Sequence, residues 1–361
     1  MVINDIIESK KEKNEMKKVL VTGSEGYIGS ILLPMLIDNG YDAVGLDICY
    51  YSQGNLNNFN FPKYKLVNKD IRDLNLHDLK DKGYYAIIHL AALSNDPLGM
   101  LDEKITYDIN YESSVKIAEL AKRAKINRFI FASSCSLYGQ GDKNALTEGS
   151  ATNPQTAYGK SKVMAEGDIM QLADDNFSPA YMRNATAFGA SPRMRFDIVV
   201  NNLTGYAKVD KEIKIMGDGK PWRPLVHIRD ICQAMIAVLT ADKKTIHNQA
   251  FNVGDNKENY QIRDIANKVK ENYSDCKVTI AKKDAGDTRD YNVAFNKLNT
   301  LLGFSCTWSL SKGIIELGKT YDSINLNDQI FNHRYYTRLK QIKYLLERNK
   351  LDMNLRRVNN G

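Results

Sequence analysis

The amino-acid sequence predicts an α/β fold, a doubly wound parallel sheet with a smaller α/β lobe. Near the start, a short β-branched run at residues 19–22 leads into three glycines and then an apolar stretch at 28–38. That order is typical of a buried strand, a tight turn and a helix. Further short apolar runs alternate with helical stretches, as in βαβ units. The 361 residues exceed one average domain, which leaves room for the lobe.

The three glycines are spaced G-x-x-G-x-x-G rather than in the commoner G-x-G-x-x-G. Gly23 allows the tight turn, Gly26 lets the backbone approach a pyrophosphate, and Gly29 allows close packing of the helix. The helix N-terminus then faces the anion. A glycine-rich turn without function is the alternative, but the strand–turn–helix context favours a dinucleotide site.

The second strand, residues 42–47, ends in Asp47, about twenty residues beyond the glycines. A carboxylate at this place accepts the hydroxyls of an adenosine ribose and repels a 2′-phosphate, so NAD is favoured over NADP. The alternative is an Asp that only caps a turn. A third strand at 64–68 precedes Asp70, and a fourth strand at 86–92 ends in the small residues Ala91 and Ala92.

A possible catalytic set follows in Ser134, Tyr158 and Lys162. Tyr158 and Lys162 are four residues apart, so they share a helix face. A tyrosine with a pKa of about 10 is a poor base at neutral pH, and a nearby ammonium lowers that pKa. Ser134 would hydrogen-bond the same substrate oxygen. An ordinary solvated helix face is the alternative for the Tyr–Lys pair, and the glycine turn upstream argues against it.

Taken together, these motifs resemble the extended short-chain dehydrogenase/reductase family over residues 17–320, and within it the NAD-dependent nucleotide-sugar epimerases and dehydratases, of the UDP-glucose 4-epimerase type. The resemblance implies a Rossmann-type sheet, NAD as cofactor, no metal, and a nucleotide-diphosphate sugar as substrate. It implies that Ser134, Tyr158 and Lys162 are catalytic. The implied cofactor-binding residues are Gly23, Gly26, Tyr27, Ile28, Gly29, Asp47, Asp70, Ile71, Ala91, Ala92, Tyr158 and Lys162.

For the substrate, the implied residues are Asn95, Ser134, Ser136, Asn202, Arg223 and Arg289. Arg223 and Arg289 match the two arginine segments that bind the diphosphate in the family, although each could be a structural ion pair, Arg289 with Asp287 or Asp290. Asn95 could instead belong to a plain turn. Thr186 stands where the family usually has an Asn that contacts the diphosphate, so this chain departs from the family at that contact.

The predicted organisation is a charged leader at 1–16, an NAD-binding domain at 17–180, a substrate lobe at 181–325 that interleaves with it, and a basic amphipathic helix and tail at 326–361. The leader has no apolar core, so we expect neither a signal peptide nor a membrane span. The cysteines show no paired spacing, which argues against a disulfide framework or zinc and favours a cytoplasmic enzyme. Cys135 is expected to be a buried hydrophobe rather than a nucleophile, and His89 and His227 to be core histidines.

Residues 331–361 carry eight Lys/Arg against two acidic residues, which is most of the net charge of +7. A basic tail could indicate nucleic acid or an anionic surface. However, Tyr335, Leu339, Ile342 and Leu346 recur at helical spacing, so we expect an amphipathic helix docked on the substrate lobe or on a second subunit. No nucleic-acid partner is expected. A homodimer is the family's usual habit, with the helix predicted at 102–125 as a candidate interface.

The two residues that follow Ser134 favour one reaction over the others. The resembling 4,6-dehydratases place an acidic pair there, and this chain has Cys135 and Ser136, which cannot act as a carboxylate does. A 4-epimerase acting by transient C4 oxidation is therefore the preferred interpretation. A 4-dehydrogenase or 4-reductase on the same residues stays open, a 4,6-dehydratase is disfavoured, and a non-enzymatic NAD sensor is a further alternative.

Overall fold

The computed structural model describes residues 16–56, 63–94, 99, 101–140, 145–281 and 289–358. The strands are β1 Lys18–Thr22, β2 Asp42–Asp47, β3 Lys65–Asn68, β4 Tyr84–His89, β5 Arg128–Ser134, β6 Ser178–Asn184, β7 Thr186–Phe188, β8 Glu212–Met216, β9 Trp222–His227, β10 Gln249–Val253, β11 Asn259–Gln261 and β12 Lys277–Ala281.

The α-helices are α1 Gly29–Asp38, α2 Leu76–Leu79, α3 Glu103–Tyr107, α4 Ser113–Arg123, α5 Ala157–Gln171, α6 Val199–Val209, α7 Ile228–Thr240, α8 Lys243–Ile246, α9 Ile262–Lys270, α10 Asn296–Leu302, α11 Leu310–Ser323, α12 Asp328–Phe331 and α13 Arg338–Glu347. Short 3-10 turns occur at Ile71–Asp73, Cys135–Tyr138, Asn256–Glu258 and Arg334–Tyr336.

Seven parallel strands form the central sheet in the order β10-β6-β5-β4-β1-β2-β3. The predicted α/β class with a doubly wound parallel sheet is confirmed. Strand order reverses between β1 and β4. Open α/β sheets bind ligands in the crevice at the carboxyl ends of the strands that flank such a reversal. Two small sheets, β11-β9-β7 and β12-β8, lie beside the large one.

Helices cover both faces of the sheet, because the central strands are buried on both sides and need an apolar layer above and below. On one face α1 and α7 pack with inward side chains of β1 and β6. On the other face α4 and α5 pack with the opposite side chains of β1, β4 and β5. No helix in the described part of the chain is both long and apolar enough to cross a membrane.

The stretch predicted as one helix at 102–125 is divided. Helices α3 and α4 are joined by a π-helical turn at Asp108–Glu112. The Ser113 hydroxyl donates to the Asp108 carbonyl, at 2.7 Å, within this widened turn. A π-turn closes i→i+5 bonds and so adds one residue to a single helical turn, a local change that the helix predicted at 102–125 did not include.

The C-terminal segment, residues 338–358, packs mainly on the nucleotide-binding half of the chain. Ile342 of α13 is fully buried in the same apolar cluster as Leu20 and Val44 of the central sheet, so the helix covers the nucleotide-binding half. Tyr50 donates to the Leu355 carbonyl, and Arg357 donates to the Ile48 carbonyl at 2.6 Å. The helix therefore docks mainly on the nucleotide-binding half rather than on the substrate lobe, which it contacts through Arg338 at Arg193 and Asp197. Docking on a second subunit stays a prediction. Helical periodicity reveals an apolar face, but not which surface will cover it.

Candidate active site

One cavity of about 560 Å³ lies at the carboxyl ends of the central strands. It brings together residues that the sequence analysis assigned to cofactor, substrate and catalysis: Gly23, Gly26, Tyr27, Ile28, Gly29, Asp47, Asp70, Ile71, Ala91, Ala92, Ser134, Ser136, Tyr158, Lys162, Asn202, Arg223 and Arg289. The remaining candidate, Asn95, lies outside the described residues.

The glycine turn is shaped so that side chains do not fit. Gly23 has φ +73°, and a Cβ there would lie 2.7 Å from the Ala91 nitrogen. A Cβ on Gly29 would lie 2.4 Å from the Gly23 oxygen. Helix α1 begins directly after the turn, and its N-cap residue Ile28 gives no side-chain cap. Its first N–H groups are therefore suited to an anion, as a dinucleotide pyrophosphate requires.

Two aspartates line the end of the cavity beside β2 and β3. Asp47 accepts from the backbone N–H groups of Glu25 and Cys49, at 3.0 and 2.6 Å, and burial raises the pKa of its carboxyl. Asp70 is held by Arg72, at 2.6 Å, and by Arg356 of the C-terminal segment, at 3.3 Å. Both carboxylates are thus fixed by neighbours at this end, which we call the adenosine end.

Lys162 is buried at the opposite end of the cavity, the reacting end. Thr156 caps the start of α5 by accepting from the Gly159 N–H, and the helix carries Tyr158 and Lys162 on one face. The Lys162 ammonium donates to the Ala132 carbonyl at 2.7 Å and lies 5.9 Å from the centre of the Tyr158 ring. Burial lowers the pKa of Lys162 to about 8. At neutral pH the side chain therefore stays a cation near the phenol.

Ser134 ends strand β5 and is positioned by its own turn. Its Oγ accepts from the Ser136 N–H at 3.2 Å and from the Ser136 hydroxyl at 3.0 Å. Because these two bonds use the oxygen as acceptor, the Ser134 proton is left to donate to a ligand oxygen in the cavity. Ser136 thus contacts the Ser134 oxygen and also lines the cavity.

Arg223 and Arg289 meet at the substrate-lobe side of the cavity. Arg223, on β9, is 5% exposed, and its Nη1 donates to the Trp222 and Arg289 carbonyls at 2.7 and 2.6 Å. Asp290 accepts from the Trp222 N–H at 2.8 Å, which ties the two segments together. Asn202, on α6, donates to the Phe196 carbonyl at 2.8 Å. Two guanidinium groups lining one wall are suited to a diphosphate.

Several cavity-lining residues were not identified from the sequence. The buried Oδ1 of Asn184, at the end of β6, has no hydrogen-bond partner among the described residues. The hydroxyl of Ser133 on the neighbouring strand is also buried and also lacks one. Their signal was available, because polar residues at the carboxyl end of a buried parallel strand face the ligand crevice. No sequence signal marks several others, among them Tyr50, Tyr51, Arg195, Asp197 and Arg338.

Three residues that could be mistaken for catalytic groups are structural. Cys135 is fully buried, its Sγ lies 3.1 Å from the Arg183 carbonyl, and burial raises the pKa of its thiol. His89 lies between the hydroxyls of Thr22 and Ser114, at 2.6 and 2.9 Å, and burial lowers the pKa of its ring to about 3. His227 is fully buried against Glu316, at 2.8 Å.

The cavity fits NAD on structural grounds. The glycine turn leaves an uncapped helix N-terminus facing it, and the buried orphan oxygens of Ser133 and Asn184 sit at the reacting end, where a nicotinamide carboxamide or a sugar hydroxyl could satisfy them.

Comparison with known proteins agrees with this arrangement. A model of the NAD dependent epimerase/dehydratase family matches residues 19–254. The UDP-glucose 4-epimerase of Lactobacillus helveticus is 29% identical over 307 residues, 80% of this chain and 91% of that protein. The UDP-glucuronic acid 4-epimerase of Bacillus cereus, solved with UDP-glucuronic acid and NAD, is 26% identical with a TM-score of 0.75, over 85% of this chain and 99% of that one.

A dTDP-glucose 4,6-dehydratase of Streptomyces venezuelae is 21% identical with a TM-score of 0.75, over 87% of this chain and 99% of that one, a likeness that shows the fold alone. The family match covers well over half of the chain and carries the NAD dependence with it. The chain is therefore an enzyme that uses NAD and belongs to the NAD-dependent epimerase/dehydratase family.

Proposed function

We propose that this enzyme is a nucleotide-sugar 4-epimerase. The observation that carries the proposal is the composition of the reacting end, where Ser134, Tyr158 and Lys162 line the cavity and none of the described lining residues beside them carries a carboxylate. The acidic residues among the described cavity lining are Asp47 and Asp70 at the adenosine end, and Asp197, which makes a two-bond pair with Arg195. Elimination of water across C5 and C6 needs an acid and a base that this lining does not supply.

Each side chain has a role in such a reaction. Tyr158 takes the proton of the C4 hydroxyl, and the Lys162 ammonium stabilises the phenolate that Tyr158 needs in order to do so. Ser134 donates a hydrogen bond to the same oxygen as the carbonyl forms. NAD, when bound, supplies the hydride acceptor and returns the hydride. After the sugar turns its other face, Tyr158 gives the proton back to the C4 oxygen.

Arg223 and Arg289 would hold the diphosphate while the sugar turns. Their guanidinium groups lie on the substrate-lobe wall of the same cavity as Ser134. A diphosphate anchored at one end leaves the hexose free to rotate about the bonds to the phosphate, which epimerisation requires and simple oxidation does not. Asn202 and, outside the described residues, Asn95 are proposed as further substrate contacts.

The test is incubation of the purified enzyme with UDP-, GDP- and dTDP-sugars, following products by NMR and reduced cofactor by absorbance at 340 nm. We expect C4 epimers to interconvert without net NADH. Stoichiometric NADH or an accumulated 4-keto sugar would replace the proposal with the 4-dehydrogenase or the 4,6-dehydratase.

A homodimer and a cytoplasmic location stay predictions from the sequence. Light scattering of the purified enzyme tests the first, with a mass of twice 40.8 kDa as the expected result.

A further inference from the structure

Arg338 is a buried cation carried by the C-terminal segment into the cavity. It is the first residue of α13, is 2% exposed and lines the cavity wall. Its guanidinium lies 4.2 Å from the centre of the Tyr51 ring, and its Nη2 donates to the Arg193 carbonyl at 3.2 Å. Its Nη1 is buried and has no hydrogen-bond partner among the described residues. A buried guanidinium with an unused donor is costly unless a ligand satisfies it.

The carboxylates nearest Arg338 are paired with other arginines. Arg193 and Arg195 are also buried, and each already has an acidic partner. Glu25 pairs with Arg193, and both carboxylate oxygens of Asp197 accept from Arg195, at 2.8 and 3.1 Å. The backbone N–H of Arg338 donates to the Asp197 carboxylate at 3.3 Å. Burial and the charge of Arg195 lower the pKa of Arg338 to about 10. Within this cluster of three arginines, the Arg338 guanidinium is thus a buried cation with no carboxylate partner in an ion pair among the described residues, which suits it to an anion.

The position of the cluster selects which anion. Tyr51, on which Arg338 stacks, follows β2 and lies four residues beyond Asp47. Glu25, the partner of Arg193, lies inside the glycine turn, where its N–H donates to Asp47. The cluster is thus beside the turn that faces a dinucleotide pyrophosphate, whereas Arg223 and Arg289 occupy the substrate-lobe wall.

We propose that Arg338 binds the diphosphate of NAD beside the glycine turn, so that the C-terminal segment contributes a residue to the cofactor site. The backbone N–H groups of the turn and the guanidinium of Arg338 would then grip the same diphosphate, the first by a helix N-terminus and the second by a charge-assisted hydrogen bond. The inference rests on NAD use and not on which sugar reaction follows.

The same segment continues over the adenosine end. Arg356 contacts Asp70 and Asp73, at 3.3 and 2.7 Å, and Arg357 contacts the Ile48 and Cys49 carbonyls. These contacts fix the segment on the strand ends that flank the adenosine. Arg338 therefore enters the cavity on a well-anchored support rather than on a loose tail.

The experiment compares Arg338→Met with Arg348→Met, a matched control because Arg348 is exposed and lies just beyond the end of the same helix. Calorimetric titration of nucleotide-free enzyme with NAD, ADP and UDP gives the affinities. The loss of one charge-assisted hydrogen bond lowers the affinity for a ligand by about tenfold to a hundredfold. We expect Arg338→Met to lose about that much affinity for NAD and ADP and to keep its affinity for UDP, and Arg348→Met to match the wild type.

Unchanged NAD affinity in a folded Arg338→Met enzyme overturns the proposal. Loss of UDP affinity with ADP affinity kept also overturns it, by assigning Arg338 to the substrate diphosphate. Thermal unfolding checks the variant's fold. If the variant does not fold, hydrogen exchange of the wild-type enzyme tests the proposal instead. NAD should slow amide exchange in residues 338–347, and UDP should not. Equal exchange with and without NAD would refute the contact. A wild type that binds NAD but epimerises no sugar would refute the proposed function alone.

Discussion

The two ends of the cavity are built in different ways. At the reacting end, Ser134, Tyr158 and Lys162 come from one strand and the following helix, and they are held largely by nearby backbone, such as the Ala132 carbonyl and the Ser136 N–H. At the adenosine end, Asp70 is held by Arg356, and Tyr50 donates to the Leu355 carbonyl, so groups about three hundred residues apart in sequence meet. The first end is local in sequence and the second is not.

This difference separates chemistry from binding. Substitutions at the reacting end should reduce turnover while NAD stays bound, because the groups that fix the end are main chain. Substitutions at the adenosine end should change NAD affinity with little effect on the chemical step. Substitutions at each end test that separation.

Tyr158→Phe should lower kcat by about a thousandfold, since general acid–base catalysis contributes on the order of a hundredfold to ten-thousandfold. Bound NAD, measured in the purified enzyme by release and absorbance, should be unchanged. Tyr206→Phe, at a tyrosine that is 36% exposed and outside the cavity lining, is the control. Full activity in Tyr158→Phe would remove this residue as the base.

Ser134→Ala should lower kcat by about a hundredfold, the size of effect known for one lost hydrogen-bond donor to a developing charge. Ser136→Ala should cost less, because Ser136 touches the Ser134 oxygen. Steady-state kinetics of both variants tests the order. A larger loss in Ser136→Ala than in Ser134→Ala would place Ser136 against the substrate itself.

Lys162→Met should reduce kcat by about tenfold to a hundredfold and stabilise the nucleotide-free fold at neutral pH. The folded pKa of about 8 lies below the ordinary value of 10.5, so the unfolded chain binds the proton more tightly and the charged lysine destabilises the fold at pH 7 by about 3 kcal/mol.

Wild-type stability should therefore rise between pH 8 and 10.5, as the folded state releases that proton first, and the variant should lack this rise. Urea unfolding at pH 7 and pH 9.5 measures it. If the free energy of unfolding depends on pH equally in the two proteins, burial does not disfavour the charged form of Lys162.

Arg356→Gln should weaken NAD binding by a few-fold at low salt and leave kcat at saturating NAD unchanged. The side chain is 36% exposed, so its pairs with Asp70 and Asp73 are screened by water and salt. Calorimetric titration at two salt concentrations, beside Arg348→Gln, measures the effect. A fall in kcat instead of affinity would erase the distinction between the two ends.

Much of the fold and the reacting end could be predicted from the sequence because their signals are local. Strand–turn–helix patterning around Gly23 to Gly29 and the four-residue spacing of Tyr158 and Lys162 depend on backbone geometry within a few residues. The carboxyl ends of parallel strands share one edge, so residues that follow different strands meet in one cavity. The cavity that joins Gly26, Asp47 and Lys162 follows from that rule.

The placement of α13 and the buried charge of Arg338 were decided only by the tertiary structure. The helical period of Leu339 and Ile342 shows that a face must be covered, and several surfaces could have covered it. Which surface does so depends on long-range packing of Ile342 beside Leu20 and Val44, and on distant pairs such as Arg356 with Asp70. The local sequence patterns are enough to predict the hydride-transfer residues, whereas long-range packing places Arg338 of α13 in the cavity wall.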